Sequence, residues 1–555
     1  MGDVEGPISP DAISYGRRLG DLARERPDAP ALVFARRDGT ERRYAWRELD
    51  RASNRLARLF ASRGLRQGDW LVIGLYNCPE HTLATLAGWK LGACVLPLSA
   101  RLAAAERDGL LALADPALVV ADWDLAASNR PDLDRPDRPR LGLADLEAAE
   151  ALNAGPLPDR ISHPGKAVGS GGSTGRPKII IDPRRWAAEP GDTFRGLGGR
   201  VGMREGQNVF IPGPLYHNAP YCWSHWALFE GSTVVLMERF DAELALDLLE
   251  RHRIAWTTLV PTMMLRMARV EGIEKRDFST LEGLMHTAAP CPPWVKRRWM
   301  DLVGPEKVCE AFGAAEAIGA TIIRGDEWLA HEGSVGRPAD CEIRVLGEDG
   351  RELSAGVVGE LHFRLASGEP PAYEYRGSPP APTTPDGFVT VGDLGWVDDE
   401  GYLFPADRRT DLIISGGANI YPREVEAVLT EHPEVRDAAV IGRPDDEWGR
   451  RIHAVILPVD GASPPDTELE ACRARSLQGA EELRTRGRLL RQDPPRRPRQ
   501  SEPDRLPEAF PRERLRRPRE IRAGTRRGGE LAGRLQHPQS TRADVGNGHG
   551  VRREA

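Results

Sequence analysis

Val168–Ile181, VGSGGSTGRPKIII, is the stretch on which the reading of this chain turns. Successive glycines let a loop point its backbone N–H groups at one centre, and such a concavity suits a polyanion. Ser170, Ser173 and Thr174 add hydroxyl donors, and Lys178 adds a point charge. Ser170, Gly171, Gly172, Ser173, Thr174, Gly175 and Lys178 therefore read as a loop that grips a triphosphate. The β-branched run Ile179–Ile181 predicts that a strand follows. A Walker A loop would feed a helix and needs a G-x4-G-K-[ST] spacing that this stretch lacks. No G-x-G-x-x-G can be laid on it either, which excludes a dinucleotide fingerprint. The competing reading is a flexible surface loop, and motifs further along weigh against it.

Working outward, 555 residues are enough for two or more domains with a large core. Apolar residues make up 40%, and no run approaches the roughly 18 needed to span a bilayer. The opening MGDVEGPISP is acidic and has no apolar h-region, so no secretory signal is expected. Seven cysteines without a C-x-x-C argue against a disulfide framework or zinc site and suit a reducing cytoplasm.

Both sides of the loop alternate between helical and strand patterns. Trp46–Gly64 has helical spacing and a glycine stop, Asp69–Leu75 reads as a buried strand, Ala84–Lys90 as helix and Cys94–Pro97 as strand. After the loop come strands near Asn208–Ile211, Thr233–Met237 and Ala255–Val260, with helices near Trp223–Phe229 and Ala242–Arg251. Such alternation predicts an α/β fold, sheets covered by helices on both faces. Asp124–Arg160, rich in Pro, Asp and Arg, reads as a surface excursion. A break near Asp407 is followed by a compact βαβ-like piece, DLIISGGANIYPREVEAVLTEHPEVRDAAVIG.

Three further motifs keep company with the glycine loop: FGAAE at Phe312–Glu316, VGDLG at Val391–Gly395 and DRRTDLIISGGANIYPREVE at Asp407–Glu426. In this order and spacing the chain resembles, over roughly residues 10–475, the adenylate-forming superfamily of acyl-CoA synthetases, luciferases and peptide-synthetase adenylation domains. The resemblance implies a large N-terminal nucleotide- and acyl-binding domain over 1–406. It also implies a small mobile C-terminal α+β domain, here 407–475 and truncated. ATP, Mg²⁺ and coenzyme A are the implied cofactors, with a small carboxylic acid as substrate; a homodimer stays open.

The resemblance gives each motif a task. Glu316 would supply the hard oxygen for Mg²⁺; otherwise it is a solvated carboxylate at a helix start. Asp393, read as following an apolar strand, would accept the ribose hydroxyls, or simply form a turn beside Gly392. Arg408 would also reach the ribose, or be an ordinary surface arginine. Ala288, Ala289 and Pro290 fall at the small-residue turn that lies against adenine; Phe312, followed by Gly313, would stack there or serve as core. His217 in GPLYHNAP stands where the family places a gate beside the acyl carboxylate, and a structural histidine is the alternative. His217, Glu316 and Lys178 are thus the catalytic candidates, with Gly416 and Gly417 facing CoA. Ala315 departs from the usual Thr or Ser, and Thr410 from the usual hinge Asp or Lys.

SGGSTGRPK, PLYHNAP and ISGGANIYPREVE look more like bile-acid-type and fatty-acyl CoA ligases than amino-acid-activating domains. Apolar Pro220–Leu228 and Thr258–Met267 would suit a bulky hydrophobic acid, or be core helices. The family's small domain ends in a P-R-x-x-x-G-K-like loop whose lysine enters the active site, yet the last lysine here is Lys307. Ser476–Ala555 holds 20 Arg against 11 acidic residues and no Lys, Trp, Tyr, Met or Cys. It reads as GC-rich codons translated out of frame, or else as a sequencing artefact, and as a disordered tail, 476–555. Phe510 is its sole Phe, Tyr or Trp, which disfavours a nucleic-acid arm. The expected activity is ATP-dependent acid–CoA ligation, impaired by the missing lysine; the alternative is a non-catalytic nucleotide or acyl-AMP binder.

Overall fold

The computed structural model describes residues 11–123, 139–171, 177–188, 193–371, 373–408, 412–415, 418–420, 422–445, 449–459, 461–465, 468–469 and 487–491. Among these, two large sheets carry the core. One has nine strands, with Pro30–Ala35, Thr233–Met237, Asn208–Ile211, Trp256–Leu259, Gly283–His286 and Val308–Gly313 running parallel in that order and antiparallel strands at both edges. The other has seven, ordered Glu374–Arg376, Pro177–Asp182, Lys166–Gly171, Cys94–Pro97, Trp70–Gly74, Leu118–Ala121 and Arg140–Leu141. Near-continuous apolar strands such as Trp70–Gly74, buried throughout, are what a sheet covered on both faces requires.

Two helices explain the coverage. Pro79–Lys90 and Asn218–Phe229 are buried on almost every side, and one core joins them to strand residues of both sheets, among them Ile73, Val95, Ile211 and Leu236. A helix apolar all round has to lie inside, so its sequence shows no amphipathic stripe. Lys90 is tolerated there because it donates to Asp50 at 2.7 Å and Asn54 at 2.7 Å.

A four-stranded antiparallel sheet follows, ordered Cys341–Leu346, Gly359–Leu365, Asp393–Val397 and Leu403–Arg408. Beyond it, hairpin Ile413–Ser415/Ala418–Ile420 leads into helix Pro422–Thr430 and antiparallel strands Val435–Asp445 and Gly449–Pro458. Arg269 links the two regions: its guanidinium donates to the carbonyls of Val435 at 2.8 Å and Thr430 at 3.2 Å.

Four expectations change. The excursion Asp124–Arg160 is only partly on the surface: Leu141 joins a sheet, and Leu146 and Ala149 enter the core. The βαβ-like piece is a hairpin, a helix and an antiparallel pair, because its first two strands turn back on each other. Asp393 opens a strand instead of following one. In 476–555, Gly487–Arg491 forms a strand parallel to Gly449–Pro458, and the rest lies outside the described residues.

Candidate functional site

Lys166–Gly171 and Pro177–Asp182 form an antiparallel hairpin, with Ser170 opposite Lys178 and Gly171 opposite Pro177. The described ends of the glycine stretch thus lie on paired strands, and Ile179–Ile181 are buried in the second of them. Gly172, Ser173, Thr174 and Gly175 lie outside the described residues, as do Gly416 and Gly417. Ser170 is half-buried at the hairpin's end.

FGAAE turns at the end of a second hairpin. Strands Val308–Gly313 and Ala320–Arg324 pair up to Gly313–Ala320, and Glu316 sits in the loop between them. That loop is tight: Ala317 adopts φ +52°, and Gly319 at φ +140° approaches Cys341 too closely for any Cβ. Left-handed backbone at a residue with a Cβ is disfavoured and is held by its surroundings. Ala288 is a second such residue, at φ +76° in the exposed turn Ala288–Pro290 after strand Gly283–His286. The turn proposed against adenine is therefore strained, and small side chains keep that strain low.

The two hairpins, 138 residues apart in sequence, meet at one carboxylate: Lys178 Nζ stands 3.4 Å from Glu316 Oε1. Tyr375, which sequence reasoning missed, completes the cluster. Its hydroxyl donates to Glu316 Oε1 at 2.6 Å, and Lys178 Nζ lies 4.1 Å from its ring centroid. Burial, and then the carboxylate beside it, raise the phenol's pKa and keep it a donor. Glu316 is nearly buried, so its charge needs these partners. Among the described residues no group of three or more His, Cys, Asp or Glu could enclose a metal. A single carboxylate fits Mg²⁺ nonetheless, since that ion completes its shell with phosphate oxygens and water.

Asp393 and Arg408 are direct partners across antiparallel strands, which places the two ribose candidates side by side. Asp393 is buried, next to Gly392 at φ +88°. Phe312 is half-buried against Phe363, ring centroids 6.3 Å apart, so packing already employs one of its faces.

His217 precedes helix Asn218–Phe229 as its N-cap, with no side-chain cap bond. It is solvent-accessible, yet the surrounding protein desolvates the ring enough to hold its pKa below the ordinary imidazole value. Two further residues fix its neighbourhood. Buried Asn77 donates to the carbonyls of Gly213 at 3.0 Å and Met237 at 2.9 Å and accepts from Leu215 N at 2.8 Å. Lys166, also buried, donates to Asn218 at 2.9 Å. Pro220–Leu228 and Thr258–Met267 pack largely as core, with Trp223 against Trp226 and Trp256 at 5.1 and 5.0 Å, which accounts for their apolar character.

A second buried centre lies close by in the chain. Lys296 donates to Glu310 at 2.5 Å, and His286 Nε2 stands 3.8 Å from the same oxygen. His286 and Glu310 are register partners, two residues before Ala288 and Phe312 respectively.

The family described as AMP-binding enzyme matches residues 20–367, and its C-terminal domain matches 424–478. A feruloyl-CoA synthase of Amycolatopsis sp. is 31% identical, over 82% of this chain and 91% of its own. A fatty acid–[acyl-carrier-protein] ligase of Streptomyces coeruleorubidus is 29% identical over 80% and 87%. The structure of o-succinylbenzoate coenzyme A synthetase from Bacillus subtilis with ATP and magnesium ion superposes with TM-score 0.70 and 25% identity, covering 85% of this chain and 95% of that one. Among the described residues no helix is long and apolar enough to cross a membrane.

Proposed function

The chain belongs to the AMP-binding enzyme family, and from that premise we propose that it activates a carboxylic acid with ATP and passes the acyl group to coenzyme A. The supporting observation is the meeting of Lys178 and Glu316 at 3.4 Å, which joins the glycine hairpin to the FGAAE loop in one centre. In the first step a carboxylate oxygen of the acid attacks the α-phosphorus of ATP, and the bond to pyrophosphate breaks. In the second the CoA thiolate attacks the acyl carbon and AMP leaves.

The residues act mainly by placing charge and by orienting the reactants. Ser170 and the glycine stretch after it cradle the triphosphate, and Lys178 neutralises it. Asp393 and Arg408 hold the ribose, Ala288–Pro290 and Phe312 flank the adenine, and His217 borders the acid. Glu316 would hold Mg²⁺, which when bound offsets phosphate charge. Residues 1–406 form the domain with this site, and 407–475 the smaller one. The acid is a hydrophobic one, fatty or steroid-like, and the enzyme works in the cytoplasm.

A second reading has its own observation: no lysine follows Lys307. Adenylation brings two anions together, and losing one oriented donor lowers such a rate on the order of 10²–10³-fold. The chain would then bind ATP and acyl-AMP while forming the latter slowly. Pyrophosphate release with a panel of fatty, aryl and steroid acids, run beside ATP calorimetry, tests both. ATP binding with slow release favours the second reading; no ATP binding by folded protein refutes both.

A further inference from the structure

We infer that Tyr375 is a positioning residue of the nucleotide site, its hydroxyl fixing the Glu316 carboxylate for a divalent cation while its ring seats the Lys178 ammonium. The inference rests on reading the Lys178–Glu316 centre as that site. Tyr375 reaches it by strand pairing: Glu374–Arg376 runs antiparallel to Pro177–Asp182, with Tyr375 opposite Ile180. Lys178 lies two residues before Ile180, hence on the same face, and Tyr375 is its diagonal neighbour across the ladder. Both donors, the phenol at 2.6 Å and the ammonium at 3.4 Å, fall on Oε1 of Glu316. Among the described residues this leaves Oε2 as the oxygen presented to a cation. A long carboxylate held by one oxygen loses less freedom when the other takes a metal, and partners of this kind typically set 10- to 100-fold of metal affinity. The ring has a separate task. At 4.1 Å from its centroid, Lys178 rests on a face that attracts cations without removing the N–H groups a phosphate needs.

The two halves separate with Tyr375→Phe, which keeps the ring, and Tyr375→Leu, which keeps neither. The probe is Mn²⁺, followed by electron paramagnetic resonance on the full chain with α,β-methylene-ATP. Melting curves check that each variant is folded. Tyr375→Phe should weaken Mn²⁺ binding by about 10- to 100-fold and leave nucleotide affinity at saturating Mn²⁺ unchanged. Tyr375→Leu should weaken the nucleotide as well. Unchanged Mn²⁺ binding in folded Tyr375→Phe overturns the role of the hydroxyl, and equal nucleotide affinity in the two variants overturns the role of the ring. A wild-type chain that binds neither Mn²⁺ nor nucleotide overturns the inference together with the site reading, which separates the two failures.

Discussion

Removing the buried ammonium that pairs with Glu310 should destabilise the protein more than any surface change. Lys296 is 1% exposed and Glu310 9% exposed, with the ammonium 2.5 Å from the carboxylate and 4.5 Å from the Trp328 ring centroid. Lys296→Met keeps most of the side-chain length and leaves a buried carboxylate that has, among the described residues, only His286 beside it, 3.8 Å away and held neutral by burial, a change that typically costs 3–5 kcal/mol. Part of that is recoverable by protonation. Burial already raises the Glu310 pKa above its ordinary 4.5 in the native protein, and loss of Lys296 raises it further. Between the unfolded and folded values the native state holds a proton that the unfolded chain does not. Stability of the variant should therefore fall as pH rises, by up to about 1.4 kcal/mol per unit. Lys296→Met with Glu310→Met removes both charges and should come back to within about 1 kcal/mol of wild type. Urea unfolding of wild type, both single variants and the double, at pH 5 and pH 8, reads these differences from the midpoints. A loss below about 1 kcal/mol in Lys296→Met, or a double variant as weak as that single, would refute the argument.

On the proposed ribose role, Asp393→Ala should weaken ATP binding by about 1–3 kcal/mol through loss of a buried acceptor; calorimetry on a variant with an unchanged melting curve checks it. His217→Ala should raise KM for the acid and leave ATP affinity alone, and equal effects on both would return His217 to a structural role. Burial holds His81 at about 3 and His225 at about 4, both below the ordinary 6.5. They stay neutral in the native state while the unfolded chain takes up protons below about 6.5, so stability should fall from pH 6.5 toward 4 by up to about 1.4 kcal/mol per unit for each. Denaturant titrations across that range should show the slope reduced in His225→Gln.

Much of the architecture was legible because buried parallel strands write themselves as apolar runs: Cys94–Pro97 and Thr233–Met237 stand where their sequences put them. Very short elements were harder. Leu141, Leu143 and Leu146 pass for loop beside a Pro- and Arg-rich stretch, since two residues of strand and one helical turn carry no measurable period. The site's charges were read from motifs, but Tyr375 sits in PPAYEYRGSPP, where nothing local refers to a carboxylate 59 residues away. One signal was available. The chain uses six lysines among 76 basic residues, and four of them, Lys90, Lys166, Lys178 and Lys296, are largely buried against carboxylates. Where arginine is the default, a lysine marks a place that needs a compact charge on a slender stem.

The pairing of Glu374–Arg376 with Ile179–Ile181 also bears on how the chain is made. Until residue 376 has left the ribosome, the isoleucine strand is the open edge of its sheet, an invitation to pair with another nascent chain. At ordinary rates of synthesis that exposure lasts about 10 to 40 s, and the strand that ends it must close a loop of nearly two hundred residues. Chains that stop short of Glu374 should therefore go into aggregates, while chains that pass Arg376 escape; a ladder of truncations, assayed for soluble yield, would place the step between them.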